Sequence, residues 1–321
     1  VKALYDARRE ELRKIVKEKH AAQKAWEAEN PALAKELADM LNNVLPAIDY
    51  AAIPQKPNSA TRNASGVVLA TLAEKVNNMI CASADLANSD KTDAFLKKTH
   101  PFANGDFTGA FFHAGVSELT MAAIMNGIVL HGGIIGACGT FFVFSDYMKP
   151  AVRMAALMEI PVKYIWTHDA FRVGEDGPTH EPIEQEAQIR LMEQIRNFSG
   201  RPSVLVLRPA DTAETTVCWK MAMENFDTPT ALILSRQDIK DLPSADGDRF
   251  RDALKAERGA YVVMDAPDAA VTLVANGSEV SLLCEVATLL DAEGIPCRVV
   301  SAPSILSLIH ISEPTRPLYI S

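Results

Sequence analysis

Cysteine is scarce and scattered. The five in 321 residues (Cys81, Cys138, Cys218, Cys284 and Cys297) form no Cys-x-x-Cys pair and no zinc spacing. An odd, widely spaced set argues against a disulfide framework and for free thiols in a reducing compartment, so a cytoplasmic location is expected. Positive charge is also in deficit. Lys and Arg number 32 against 41 Asp and Glu, a net charge of −9. That balance argues against nucleic acid or an anionic membrane as the main partner and leaves room for a local basic pocket that holds a small phosphate. Lys2–Lys19 is charged along its length and has no apolar core, so no signal peptide is expected. Internal repeats and low-complexity tracts are absent from the sequence.

Long apolar runs are few, and one must be weighed. Met121–Phe144 contains no Asp, Glu, Lys or Arg. A membrane span of that length is conceivable. Against it, Asn126 and His131 interrupt the run, and Gly127, Gly132, Gly133, Gly136 and Gly139 break it up. A buried helix, a glycine turn and a buried strand fit better.

What is present divides into parts. A chain of 321 residues suggests about two domains. Residues 1–58 read as a charge-rich helical connector, with Asn30 as an N-cap before Pro31 and Leu33, Leu37, Met40, Leu41, Val44 and Leu45 at helical spacing. Residues 59–243 read as one α/β domain. Strands are expected at Met79–Ala84, Val162–Trp166, Val204–Leu207 and Ala231–Leu234. Helices are expected at Gly66–Asn78, Leu119–Leu130, Ala151–Met158, Pro182–Asn197 and Glu214–Asn225. Such alternation predicts a three-layer α/β/α fold around a parallel sheet. Residues 244–270 read as a linker. Residues 271–304 read as the first βαβ of a second α/β domain, which is incomplete because one βαβ cannot cover its own sheet. The tail at 305–321 (ILSLIHISEPTRPLYIS from Ile305) resembles translated sequencing-adapter read-through. Native sequence is therefore expected to stop near Ser304, as in a gene fragment open at both ends.

The densest chemistry is in Thr167–Pro182, THDAFRVGEDGPTHEP. It follows a strand and is punctuated by Gly174, Gly177 and Pro178, the setting in which α/β proteins carry functional side chains. Zinc ligation is a poor fit for this stretch. His168 and His180 lie twelve apart, without a His-Glu-x-x-His motif or a cysteine pair, which is poor ligand spacing.

Several strings then line up with one family. Gly174–Pro182 (GEDGPTHEP), preceded by THD at Thr167–Asp169, resembles transketolase. So do SADL at Ser83–Leu86, AVRMAALM at Ala151–Met158, LRPAD at Leu207–Asp211 and PTALILSRQ at Pro229–Gln237. The resemblance runs in order from about Thr61 to Ser304. It implies a thiamine diphosphate enzyme that moves a two-carbon ketol group between sugar phosphates in the pentose phosphate pathway, assembled as a homodimer with magnesium or another divalent cation. It also implies that 59–243 is the pyrimidine-binding domain, and that the diphosphate- and metal-binding domain is not in this chain. No Gly-Asp-Gly metal motif occurs here, and no residue of the chain is expected to bind the metal.

The resemblance assigns residues as well. Glu118 matches the glutamate that shares a proton with the aminopyrimidine ring, with Ser117 before it where the family often has Arg. Phe141, Phe144 and Tyr147 match the aromatic pocket around that ring. Their i, i+3, i+6 spacing alone would equally mark core packing. His168, Asp176 and His180 match residues that face the sugar phosphate and its reacting end, where an imidazole can donate, accept and titrate. Arg62, Ser89 and Arg236 match a phosphate clamp, although Asn88-Ser89-Asp90 departs from the usual proline-serine-asparagine. Asp169, Glu175 and Arg153 read as structural. Three alternatives stand beside a transketolase fragment. One is a C-terminal subunit of a split transketolase, which needs a partner chain. A second is another thiamine diphosphate enzyme, such as deoxyxylulose-phosphate synthase or a 2-oxoacid dehydrogenase beta subunit. The third is a non-catalytic dimerisation module.

Overall fold

The computed structural model describes residues 2–170, 172–244 and 247–305. All of the tail at 305–321 except Ile305 lies outside them. The chain forms two compact units, one ending at Leu45 and the other beginning at Pro46.

The first unit is two helices, α1 (Lys2–Glu29) and α2 (Pro31–Leu41). Neither contains a buried residue, and the expected stripe stands exposed at Leu33, Leu37, Leu41 and Val44. Charge pairs at helical spacing line α1, including Arg8–Glu11 and Arg13–Glu10 at 2.6 Å, and each such exposed pair is worth a few tenths of a kcal/mol. Pro31 opens α2 as expected, but Asn30 does not cap it. Its side-chain amide instead donates to the Trp26 carbonyl at 3.0 Å and so closes α1.

The second unit continues with α3 (Thr61–Lys75), β1 (Met79–Ser83), α4 (Ala87–Asp90), α5 (Asp93–Leu96), β2 (Phe111–His113), α6 (Glu118–His131), β3 (Ile135–Phe141), α7 (Ser145–Met158), β4 (Lys163–Thr167), α8 (Gln185–Gln194), β5 (Leu205–Leu207), α9 (Thr212–Glu224) and β6 (Thr230–Leu234). The strands form a six-stranded sheet in the order β2-β1-β3-β4-β6-β5, and every pairing is parallel. Strands β3, β4 and β6 are buried along their whole length, as continuous apolar runs between two helical layers must be. Ala82, Cys138, Tyr164, Trp166, Ala231 and Ile233 pack with Met121 and Met125 of α6, Val152 of α7 and Ile189 of α8. The alternating residues Cys81, Ala137, Ile165 and Leu232 are equally buried. Helices α3 and α9 pack on each other, and Trp219 Nε1 donates to Ser65 Oγ across 2.8 Å.

Met121–Phe144 is two elements. Helix α6 ends at Gly132 and Gly133, both at positive φ (91° and 77°), and β3 follows. No helix among the described residues is long and apolar enough to cross a membrane. Gly136 lets α6 approach the sheet, since a Cβ there would lie 2.5 Å from Met125 Sδ.

The remaining elements are α10 (Arg249–Ala253), a 3-10 turn (Leu254–Arg258), β7 (Tyr261–Met264), β8 (Val271–Ala275), α11 (Glu279–Ala292) and β9 (Cys297–Ser301). The expected βαβ is there: β8 and β9 pair in parallel around α11. The segment read as a linker does more than connect. Its β7 adds to β9 antiparallel, giving a three-stranded sheet in the order β7-β9-β8. Ala210 and Leu242 of the preceding domain share a core with Val280, Ala287 and Val299, so the loops after β5 and β6 pack on α11 and β9.

Candidate active site

The sheet positions the site by its strand ends. Register aligns Ser83 with Gly139, Phe141 with Thr167, and Thr167 with Leu234, so β1, β3, β4 and β6 finish side by side. The carboxyl ends of parallel strands are where such folds hold ligands. Just beyond them come Arg62 at the start of α3, Ser89 in α4, Phe144 after β3, His168 after β4 and Arg236 after β6.

The two arginines are brought together by a lock between Thr61 and Ser235. Thr61 N donates to Ser235 Oγ at 3.0 Å, and Ser235 N donates to Thr61 Oγ1 at 2.7 Å. Arg62 Nη1 donates to the Ser89 carbonyl at 2.9 Å and lies 3.4 Å from His168 Nε2. Its Nε is buried without a hydrogen-bond partner. Burial, and then the like charge of Arg236, lower its proton affinity. Two cations that repel each other beside a spare donor make a site suited to an anion. Ser89 enters this arrangement through its carbonyl, and its hydroxyl makes no hydrogen bond to any described residue. Arg236 approaches Glu175 at 3.6 Å, and a Cβ on Gly174 would lie 2.8 Å from the Arg236 guanidinium, so the loop needs its glycine there. Glu175 is exposed, so that pair is weak.

An aromatic cluster adjoins the arginines. The His168 ring stacks on Phe141 at 3.7 Å, and Phe144 lies 6.0 Å from Phe141 with nearly parallel planes. His180 stands edge-on to Phe144 at 5.2 Å and to Phe141 at 6.1 Å. Tyr147 extends the row, 6.1 Å from Phe144, and is largely exposed. His180 itself comes from a 3-10 turn, Pro178–His180, set up by Gly177 at φ 75°. This is more than core packing, because the row runs from a buried Phe141 to an exposed Tyr147 and includes two imidazoles.

His168 is 2% exposed and sits at φ 62°, a left-handed conformation costly for a residue with a Cβ. Its Nδ1 lies 2.9 Å from Thr167 Oγ1. Burial first, then Arg62, Arg236, His180 and Lys91, lower its pKa to about 3. It is therefore neutral at physiological pH. Lys91, at the left-handed end of α4, is a cation near this site that the sequence did not single out; only its place beside Ser89 hinted at it.

Glu118 opens α6 and is 8% exposed, with no hydrogen-bond or ion-pair partner among the described residues. Its carboxylate oxygens still reach solvent, so they are open to a donor arriving from outside the chain. Asp176 is exposed in the loop between Gly174 and Gly177 and has no partner among the described residues. The structure thus joins Arg62, Ser89, Phe141, Phe144, Tyr147, His168 and His180 in one chain of contacts, with Arg236 acting on Arg62 and His168 through its charge, while no hydrogen bond or ring contact among the described residues links Glu118 or Asp176 to it. Among the described residues no cluster of three His, Cys, Asp or Glu is arranged to hold a metal.

The model of the transketolase pyrimidine binding domain matches residues 58–241. The chain belongs to the transketolase family. A second model, for the transketolase-like C-terminal domain, matches residues 259–316, so its match begins at the strand β7 that the sequence reading left in the linker. A transketolase from Bacillus subtilis (strain 168) is 44% identical over 282 residues, which are 86% of this chain and 40% of that protein. The structure of a Pichia stipitis transketolase in complex with sedoheptulose 7-phosphate superposes with a TM-score of 0.81 at 35% identity, covering 94% of this chain and 44% of that one. A split-gene transketolase described as an inactive beta4 tetramer matches with a TM-score of 0.58 at 29% identity, covering 77% of this chain and 71% of that one. The chain spans about two fifths of the length of the Bacillus subtilis transketolase it matches.

Proposed function

We propose that this transketolase-family chain supplies the pyrimidine-side half of a thiamine diphosphate site, and that the complete enzyme transfers a two-carbon ketol group between a ketose phosphate and an aldose phosphate. The observation that carries the reading is the row of Phe141, Phe144, His168 and His180 with the Arg62–Arg236 pair beside it. A flat heterocycle stacks on such a row, and a sugar phosphate fits the two guanidinium groups. Support also comes from the sugar-phosphate complex of the related Pichia stipitis enzyme.

Thiamine diphosphate, when bound, supplies a nucleophilic thiazolium carbon and an electron sink. The partnerless Glu118 fits the pyrimidine end, where its carboxylate would hold a proton against a ring nitrogen. Phe141, Phe144 and Tyr147 would keep water from the ring. His168, neutral because of its burial and its cationic neighbours, would accept from or donate to a substrate hydroxyl without adding charge. His180 and Asp176 would face the reacting end, Arg62 and Arg236 would grip the phosphate, and Ser89 would hold Arg62. A divalent cation such as magnesium would be bound by residues from outside this chain. Homodimeric assembly and a cytoplasmic role in the pentose phosphate pathway follow from the family alone.

The second reading, a subunit of a split transketolase, is favoured by the likeness to the split-gene protein. Both readings make the same first prediction. The pure chain should not turn over xylulose 5-phosphate with ribose 5-phosphate, and adding a diphosphate-binding domain or subunit should restore turnover. Activity of the chain alone would overturn the half-site reading.

A further inference from the structure

Arg208, at the end of β5, is buried and touches both sheets. Its Nε and Nη2 both donate to Asp169 Oδ2, at 3.1 and 2.8 Å. Its Nη1 donates to Asn276 Oδ1 at 2.8 Å and lies 2.7 Å from Glu279 Oε2. Glu186 is a weaker partner at 3.6 Å. The backbone repeats the link, since Arg208 N donates to the Pro303 carbonyl and Gly277 N donates to the Arg208 carbonyl. A Cβ at Gly277 would lie 2.7 Å from Arg208 Nε, so the turn between β8 and α11 closes tightly on the guanidinium.

Asp169 directly follows His168. Its carboxylate is buried, one oxygen takes both arginine bonds and the other has no partner. Only Arg208 holds that side chain among the described residues, apart from Asp169's own backbone N–H. Charged hydrogen bonds of this buried kind are strong, and a guanidinium held on two edges fixes one group relative to another.

We infer that Arg208 is a positioning residue, through which docking of the β8–α11 turn holds Asp169 and, next to it, the His168 ring in its strained, stacked place. The importance of this for catalysis rests on reading His168 as a substrate-facing residue. The coupling itself does not, and the experiment separates the two.

The imidazole of His168 is followed by NMR in the intact chain labelled at histidine, with its signal assigned by its loss in His168→Asn. Arg62, Arg236, His180 and Lys91 are the charged or titratable groups that face it, and none is altered. In the unaltered chain the signal should not titrate between pH 5 and 8. In the double variant Asn276→Ala/Glu279→Ala, which removes both side-chain contacts from the second sheet, its apparent pKa should rise at least two units, a hundredfold gain in proton affinity that brings it into that range, as the ring leaves Phe141. Arg298→Ala, which breaks only an exposed pair with Asp265 in the same sheet, should leave it unmoved. Arg208→Lys keeps the charge without the fork and should resemble the double variant. If Arg208→Lys does not fold, the double variant decides. A His168 signal unchanged in the folded double variant overturns the inference. A shifted signal with full ketol transfer in the reconstituted enzyme would leave the coupling standing and sink the role given to His168.

Discussion

The His168 imidazole lies over the Phe141 ring, 3.7 Å between centroids and 29° between planes, with its backbone at φ 62°. Burial first, and then the neighbouring Arg62 and Arg236, keep the ring neutral, and this has a thermodynamic signature. The folded pKa is lowered to about 3, from the ordinary histidine value of 6.5. As pH falls below 6.5 the unfolded chain takes up a proton that the native chain refuses, so stability falls until pH reaches about 3. Replacing the ring by His168→Gln should remove that part of the acid sensitivity. Urea unfolding at pH 7.5 and 4.5 should show a stability loss smaller than that of the unaltered chain by on the order of 1 kcal/mol. Equal losses would mean that His168 titrates normally.

Asp90 works in the opposite sense. It is fully buried, accepts from Ser83 Oγ at 2.7 Å, Thr92 N at 2.9 Å and Thr92 Oγ1 at 2.7 Å, and yet burial raises its pKa from 3.8 to about 6. Between those values the native chain holds a proton that the unfolded chain has lost, so this contribution to stability falls as pH rises from 3.8 to 6. Asp90→Asn keeps an acceptor for Thr92 and a polar partner for Ser83 while removing the buried charge. The variant should be more stable than the parent at pH 8 and gain little at pH 4. Thermal unfolding checks this, and a variant less stable at pH 8 refutes it.

Gly136→Ala probes the contact between α6 and the sheet. The new Cβ would lie 2.5 Å from Met125 Sδ and 2.6 Å from Val129 Cγ2. Met125 can turn aside, but the branched Val129 has little rotamer freedom on a helix. Overpacking of this kind costs about 1–3 kcal/mol. Chemical denaturation should show that loss, and Val129→Ala in the same chain should return part of it. Simple additivity of the two changes would argue against the clash.

The parts of this fold that depend on local pattern could be read in advance. Strands β4 and β6 are apolar runs between turn signals, and α6 followed by two glycines explains an apolar stretch that resembled a membrane span. What depends on distant partners could not. Strand β2 has three residues, paired with β1 and bridged at Phe111 to Pro101, and β7 is a strand because β9 lies beside it. Asn30 turns its amide back to donate to the Trp26 carbonyl instead of offering its oxygen to the N–H groups of the helix it precedes. In the site, family strings pointed to His168, His180 and Arg236, and Arg62 meets them through a Thr61–Ser235 lock 174 positions long. Arg208 was visible only as one letter of LRPAD, since its partners Asp169 and Glu279 stand on either side in sequence and neither neighbours it. Asp90 looked like a departure from the usual string, and burial alone makes it a titrating group.

Glu118 and Arg236 should fail in different ways when the active enzyme is reconstituted. Glu118 is nearly buried and has no hydrogen-bond or ion-pair partner among the described residues, as a group that waits for the cofactor ring would be. Glu118→Gln keeps its size and removes the proton-holding carboxylate, so turnover or activation by the cofactor should fall by about 100-fold or more, the usual scale of proton-transfer assistance. Arg236 is about one-third exposed and, among the described residues, forms its ion pair with the exposed Glu175. Arg236→Ala removes one arm of the anion grip and should raise the sugar-phosphate KM about 10-fold or more, with kcat changed much less, because uniform binding is lost. Steady-state kinetics at saturating cofactor, with KM and kcat measured separately, distinguish the two. A kcat defect in Arg236→Ala together with a pure KM defect in Glu118→Gln would reverse both assignments and move the phosphate away from the arginine pair.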